Sequence, residues 1–218
     1  MKLNTTNRAD LPNPKVLKEL CKSLATLDAI LCQDWEYRYY LYNHIWSDDE
    51  EFFQMRDGEG NDMVILFRVD GTIINGFDHE LYDFEKNLPN KEDLTAGLPN
   101  QYIEFIFGEY ISGIGTTYCI WSDNNQQWTI GQVDNEEDGS DDQLYIFDNN
   151  PETYINWATN YYFDEEEESM TAEKKEIIRQ IYQGKTLTKE MILTLNSELE
   201  DWELLKEDIN DIGYPSTI

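Results

Sequence analysis

The segment from Phe52 to Glu80 constrains the fold more than any other, because short apolar runs alternate there with turn signals. Met63–Phe67 is the longest unbroken apolar run of the chain and is rich in branched residues, which predicts a strand buried on both faces. Asp70-Gly71 then predicts a two-residue type I′ hairpin turn. A second turn at Asp57–Asn61 would join the preceding strand to the same central strand, which gives three antiparallel strands.

The composition gives two opposing indications about whether the chain is folded. The formal charge of −29 and the mean hydropathy of −0.66 are typical of disordered chains, whereas an aromatic content of 13% is typical of a folded core. We therefore expect an aromatic-rich core under a strongly acidic surface. Such a surface repels phosphate backbones and anionic lipid, so the sequence predicts neither a nucleic-acid nor a membrane partner. It would attract a basic protein partner.

The cysteines and the apolar runs indicate the compartment. No segment approaches the roughly 20 apolar residues of a membrane helix, and no secretory signal is recognisable. Cys21 and Cys32 would lie about 16 Å apart on one helix, which is too far for a disulfide. The sequence therefore predicts a cytoplasmic protein, and it leaves the oligomeric state open.

The order of elements predicts one α+β domain over residues 1–218, with an antiparallel sheet, an N-terminal helix and a C-terminal helical layer. Residues 1–12 form a polar lead-in, after which Asn13 and Pro14 begin a helix with an apolar stripe. Further segments follow in chain order. A strand is predicted over Trp35–Tyr42, a short helix through Tyr102 to Ile106, a hairpin of Thr116–Ser122 with Gln127–Val133 around Asp123–Asn125, and a short strand at Leu144–Phe147.

Residues 150–218 form the predicted helical part. Asn150 and Pro151 begin a helical segment that Thr171–Gln183 continues, Thr188–Leu195 forms another short helix, and a capping box at Ser197–Glu200 opens the last.

Asp78, His79 and Glu80 form the most reactive-looking group, and two interpretations remain open. In the first, the three residues end a strand and His79 is hydrogen-bonded for structural reasons. In the second, a helix begins there and places His79 and Asp83 on one face, which resembles the helix of zinc metalloproteases with Asp in place of the second His. That alternative is a metal-dependent hydrolase with Asp78, His79 and Asp83 as metal ligands and His79 and Glu80 as catalytic groups. We favour the first and predict no cofactor, because His44 is the only other histidine.

Acidic residues concentrate at Asp48–Glu51, Asp134–Asp142 and Asp164–Glu168, all expected to be exposed. The second cluster nearly matches a calcium loop, but Tyr145 stands where a bidentate glutamate belongs, so a solvated turn is the favoured interpretation and weak cation binding the alternative. Cys119 is expected to be a buried thiol. No Gly-x-Ser-x-Gly nucleophile motif is present.

Two short motifs stand out, Gly-Phe-Asp-His-Glu at Gly76–Glu80 and Ile-Gly-Tyr-Pro at Ile212–Pro215. As hallmarks, they resemble those of a widespread uncharacterised bacterial protein family. Other matching pieces are Phe53–Gly58, Leu98-Pro99, Cys119–Trp121 and Pro151–Tyr154. The family supplies no substrate or catalytic residue, but some α+β bacterial proteins of similar size and acidity resemble immunity proteins that neutralise toxins. From the acidic charge, the absence of nucleophile motifs and the scarcity of histidine, we expect a non-catalytic binding protein of the immunity or antitoxin type, with a basic protein partner.

Overall fold

Six antiparallel strands form one sheet in the computed structural model, which describes residues 2–122, 126–132, 137–163 and 169–218. The strands follow one another across the sheet in chain order. They are β1 (Tyr40–Ser47), β2 (Glu50–Arg56), β3 (Asp62–Arg68), β4 (Gly71–Phe77), β5 (Tyr118–Ser122) and β6 (Trp128–Ile130). The hairpin predicted for the last two strands is confirmed, and its predicted turn at Asp123–Asn125 lies outside the described residues.

The central strand β3 is buried on both faces, as its apolar run predicts. Val64, Leu66 and Phe67 are at most 3% exposed. The hairpin to β4 is also confirmed, but the predicted turn type is wrong. Arg68 pairs with Gly71, so the loop residues are Val69 and Asp70, and neither has the positive φ that a type I′ turn requires.

Gly71 has a φ of +149°, and a Cβ there would lie 2.0 Å from the Tyr102 hydroxyl. Its glycine identity therefore allows the close approach of Tyr102 to the sheet.

Two acidic turns connect the first three strands. Asp57 Oδ1 accepts hydrogen bonds from the backbone N–H groups of Glu59, Gly60 and Asn61, which confirms the predicted turn there.

The strand predicted over Trp35–Tyr42 is wrong in its first half, because Trp35–Tyr37 forms a 3-10 helix and β1 begins only at Tyr40. Asp34 causes this difference, since its side chain accepts a hydrogen bond from the backbone of Glu36 and caps the short helix.

The helices of the described residues surround the sheet on two faces. They are α1 (Pro14–Leu31), α2 (Lys91–Leu94), α3 (Ile103–Phe107), α4 (Glu109–Ile114), α5 (Ser140–Leu144), α6 (Pro151–Tyr162), α7 (Ala172–Tyr182), α8 (Lys189–Leu195) and α9 (Trp202–Ile212). The α+β class, the N-terminal helix, the C-terminal helices and the short helix near Tyr102 are thereby confirmed.

One predicted strand and one predicted helix start are wrong. Leu144–Phe147, predicted as a strand, is helical, because α5 continues into a 3-10 turn at Tyr145–Phe147. The last helix begins at Trp202 and not at Ser197, because Asp201 provides the N-cap and accepts a hydrogen bond from the backbone of Leu204.

Alternation along the strands divides the core into two layers. The inner layer packs Tyr40, Phe53 and Ile65 against α1 and the C-terminal helices. The outer layer, defined here as residues 78–115, covers the opposite face, where Leu66 and Trp121 contact it. Three short helices and the segment between β4 and α2 make up this outer layer, so it holds far fewer buried side chains than the inner one.

Both ends of the chain are attached to the sheet. The polar lead-in is docked, since Leu3 and Leu11 are buried and Thr5 N–H donates to Ser140 Oγ at 3.0 Å. At the other end α9 packs beside β1, which has β2 as its only neighbouring strand among the described residues. An ion pair of 2.6 Å between Arg38 and Asp208 fixes that contact.

The cysteines and helices of the described residues bear on two sequence predictions. Cys21, Cys32 and Cys119 are all free thiols, and Cys119 is buried, as predicted. Within the part of the chain that the structure describes, no helix combines the length and the apolar character needed to cross a bilayer.

Candidate functional site

Asp78, His79 and Glu80 follow the end of β4 and do not begin a helix. The next helix, α2, starts only at Lys91, so the helical placement behind the hydrolase alternative is wrong. Asp78 Oδ1 accepts hydrogen bonds from the backbone of Glu80 (3.0 Å) and Leu81 (3.3 Å). His79 is anchored to the β2–β3 turn, because its backbone N–H donates to Asn61 Oδ1 at 3.0 Å and its Nδ1 lies 2.9 Å from the same oxygen.

Asp83 is held within its own turn. Its Oδ2 pairs with Lys86 Nζ at 2.7 Å, and its Oδ1 accepts from the backbone of Glu85 and Lys86. Among the described residues, no group of three or more His, Cys, Asp or Glu side chains is placed to hold a metal ion. The structure therefore does not assemble Asp78, His79, Glu80 and Asp83 into one ligand set.

A metal assay tests this arrangement. We expect the purified protein to carry no stoichiometric zinc or other transition metal, and its melting temperature to stay the same after EDTA treatment and dialysis. Elemental analysis and calorimetry measure the two quantities. One tightly held ion per chain that is lost in a His79→Ala variant would instead support the metal-dependent hydrolase.

The segment after Glu80 folds back against the sheet. Asp83 and Leu88 exchange two backbone hydrogen bonds of 2.7 and 3.2 Å, which close a loop. The rings of Tyr82 and Phe84 pack on Phe77 at centroid distances of 5.4 and 6.2 Å, which ties the loop to the end of β4. The loop thus forms one wall of a cavity.

This cavity, called here the acidic pocket, has a volume of about 400 Å³ and opens between the loop, α2 and the residues before α5. Its apolar lining comes from Leu81, Leu88 and Leu94, and its acidic lining from Asp83, Asp93, Glu137 and Asp138. The size lies in the usual range for pockets that bind small ligands or protruding side chains.

Asp138 is the buried member of the acidic pocket, with 5% of its surface exposed. Its carboxylate accepts hydrogen bonds from Ser140 N–H, from the Ser140 hydroxyl and from the Thr5 hydroxyl, which are all neutral donors. No lysine or arginine of the described residues pairs with it. The prediction of a solvated turn over Asp134–Asp142 is therefore wrong at Asp138, and residues 134–136 of that turn lie outside the described residues.

The other two acidic clusters differ from expectation as well. Asp48 and Asp49 are exposed as predicted, whereas Glu50 and Glu51 are partly buried in β2. Glu51 pairs with both Lys18 (2.7 Å) and Lys22 (2.9 Å), and these donors hold its pKa at about 2 despite partial burial. The cluster Asp164–Glu168 lies outside the described residues.

Exposed aromatic and aliphatic side chains are concentrated on the outer layer. Phe84 is 72% exposed, and Leu88, Ile103, Phe107 and Tyr110 are between 41% and 46% exposed. In β1, the neighbouring Trp46 is 42% exposed and extends this surface, because its ring stacks on Phe52 at 4.4 Å and contacts Tyr110 at 5.9 Å. The outer layer also carries eight carboxylates against two lysines.

No family model, curated protein or solved structure matches the chain. The resemblance to an uncharacterised bacterial family therefore stays a prediction. Function is therefore inferred from the chemistry of the outer layer.

The acidic pocket was not predicted from the sequence. One local signal for Asp138 was present, because an aspartate two residues before Ser140 at a helix start is a common backbone cap.

Proposed function

We propose that the chain is an acidic, non-catalytic binding protein of the immunity or antitoxin type, whose outer layer receives a basic protein partner. The observation that carries the proposal is the coincidence, on one layer, of exposed aromatic side chains with an excess of carboxylates. Partly exposed aromatic residues that pack in clusters are the usual anchors of protein interfaces, and a ring of charges around them sets partner choice.

Charge selects the class of partner. A second copy of this chain would also carry a net charge of −29, so self-association through this layer would bring like charges together. A basic protein surface would instead be attracted before contact. The aromatic rings that are exposed in the free protein would then be buried at the interface and would hold the complex together.

Exposed apolar side chains also occur elsewhere among the described residues. Trp35 is 57% exposed, and its ring carries the Arg56 guanidinium at 4.7 Å, as the Phe107 ring of the outer layer carries Lys91 Nζ at 5.3 Å. Leu193 and Leu204 are exposed to 40% and 37% on separate helices of the inner layer. These two positions serve as controls for the outer layer.

Site-specific photo-crosslinking in the native cell tests the proposal. A benzoylphenylalanine at Phe107 or Phe84 should crosslink one protein with an isoelectric point above neutrality, because these side chains lie on the proposed interface. The same probe at Leu193 or Leu204 should not crosslink it. Mass spectrometry of the crosslinked bands identifies the partner. No specific product at Phe107 and Phe84, or the same products at all four positions, would refute the proposal.

Association kinetics with the captured partner test the role of charge. A Glu104→Gln/Glu109→Gln variant should associate several-fold more slowly than the unaltered protein at low salt and dissociate at nearly the same rate. The difference should vanish as added salt shortens the screening length. A Glu190→Gln/Glu198→Gln variant removes equal charge from the opposite side and is the matched control. Equal slowing by both variants would show that only net charge matters and would contradict docking on the outer layer.

A further inference from the structure

The acidic pocket joins apolar walls to four carboxylates, of which only Asp83 has an ion-pair partner, Lys86, among the described residues. Leu81, Leu88 and Leu94 line it, and Leu94 is 3% exposed, so the apolar part reaches the protein interior. Asp93 and Glu137 line the same cavity and form no ion pair with any described residue. A ligand that fits both parts has an aliphatic stem and a positively charged head.

Asp138 strengthens the case for a cation. A buried carboxylate is normally compensated by an opposite charge, yet only hydroxyl and backbone donors reach this one among the described residues. A positively charged group in the adjoining cavity would add an opposite charge to these neutral donors. A bare metal ion fits poorly, because three donors already occupy the Asp138 oxygens and Leu81, Leu88 and Leu94 line the cavity beside the carboxylates.

The pocket adjoins the exposed apolar surface of the outer layer, because Leu88 lines the pocket and is itself 46% exposed. Leu94 belongs to α2, and Lys91 at the start of the same helix places its Nζ 5.3 Å from the centre of the Phe107 ring. A partner docked on Phe107 would therefore lie beside the mouth of the pocket. This adjacency favours a side chain of the partner over a free small molecule as the occupant.

We infer that the acidic pocket receives one arginine side chain of the basic partner, an inference that rests on the proposed function. The three-carbon stem packs on the leucines, and the guanidinium meets the carboxylates of Asp93 and Glu137. Arginine suits the site better than lysine, because its planar head is less strongly hydrated and offers five donors to several acceptors.

Two isosteric probes test the inference on the full chain. N-acetyl-arginine-N′-methylamide should produce saturable amide NMR shifts at Leu81, Leu94 and Gln132. The citrulline analogue, which has the same shape without the charge, should bind at least tenfold more weakly. An Asp93→Asn/Glu137→Gln variant should bind the arginine probe at least fivefold more weakly, whereas Glu190→Gln/Glu198→Gln should bind it as the unaltered chain does. Unchanged amide spectra outside the pocket verify that each variant is folded.

The outcomes separate this inference from the proposed function. Equal shifts from the arginine and citrulline probes, or equal binding by the two charge variants, overturn the pocket assignment. A basic protein crosslinked at Phe107 without arginine-dependent shifts overturns the pocket assignment alone. Arginine binding in the pocket without any crosslinked basic protein overturns the partner as the source of the side chain and refutes the proposed function.

Discussion

Gly76→Ala is expected to destabilise the protein by about 3 kcal/mol, because the added methyl group has no space. Gly76 pairs with Tyr118 across β4 and β5, and a Cβ there would lie 2.0 Å from two atoms of the Tyr118 ring. The ring cannot move aside easily, since Tyr118 is fully buried and its hydroxyl donates to Gln143 Oε1 at 2.8 Å. Urea unfolding followed by tryptophan fluorescence measures the loss.

Gly113→Ala is the matched control, because it adds the same methyl group in open space. Nothing lies within 4 Å of a Cβ at Gly113, which is inside α4. This substitution should stabilise the protein by roughly 0.5 kcal/mol or more, since alanine loses less conformational freedom in a helix. Similar changes in the free energy of unfolding for both variants would contradict the packing described for β4 and β5.

Asp28→Asn is expected to remove most of the dependence of stability on pH between pH 5 and 8. Asp28 is fully buried on α1 and accepts hydrogen bonds from the backbone of Tyr39 and Tyr40 and from the Tyr154 hydroxyl. Burial raises the pKa of Asp28 to about 7, although these donors and Tyr162 oppose the rise. The folded state therefore prefers the neutral carboxyl.

The sign of the effect follows from this raised pKa. The unfolded chain ionises Asp28 near pH 4, and the folded protein does so only near pH 7, so stability falls as pH rises through this window. Between pH 5 and 8 the loss from this residue is about 3 kcal/mol. Denaturant unfolding at several pH values should show this slope in the unaltered protein and a much smaller slope in Asp28→Asn.

Asp62 and Glu51 provide the controls for the Asp28 result. Burial raises the pKa of Asp62 to about 6, so Asp62→Asn should remove only part of the same slope. Glu51 has a lowered pKa of about 2, and its contribution is lost only at more acidic pH, outside the measured range. An Asp28→Asn variant that keeps the full slope would show that Asp28 is ionised in the folded protein throughout.

Local signals explain which parts of the fold could be predicted. The apolar run of β3, the Asp57–Asn61 turn and the Asn13 cap each depend on neighbours within a few residues, and all three are confirmed. Leu144–Phe147 failed because four apolar residues fit a strand or a buried helix equally well. Its helical state follows from the α5 start at Ser140, whose preceding glycine has a φ of +79°.

The acidic pocket could not be predicted because its lining comes from separate parts of the chain. Leu81, Leu94, Thr117 and Gln132 meet only after the sheet has formed. The burial of Asp138 has the same origin, since one of its donors, Thr5, is 133 residues away in sequence. The acidic character of this turn is evident from the sequence. The burial of Asp138 is not, because it depends on the docking of the N-terminal lead-in through Thr5.

The contact between α9 and β1 has a consequence for the aggregation of chains that lack the last helix. Without α9, the free edge of β1 would expose its unpaired backbone N–H and C=O groups to solvent over up to eight residues. Such an edge is a template for strand pairing between molecules, which leads to aggregation. Arg38 would lose Asp208, its only ion-pair partner among the described residues, and would remain as an uncompensated cation beside the same edge. A chain cut before Trp202 is therefore a candidate for amyloid-like self-association. In the full chain, α9 covers this edge and so prevents strand pairing there.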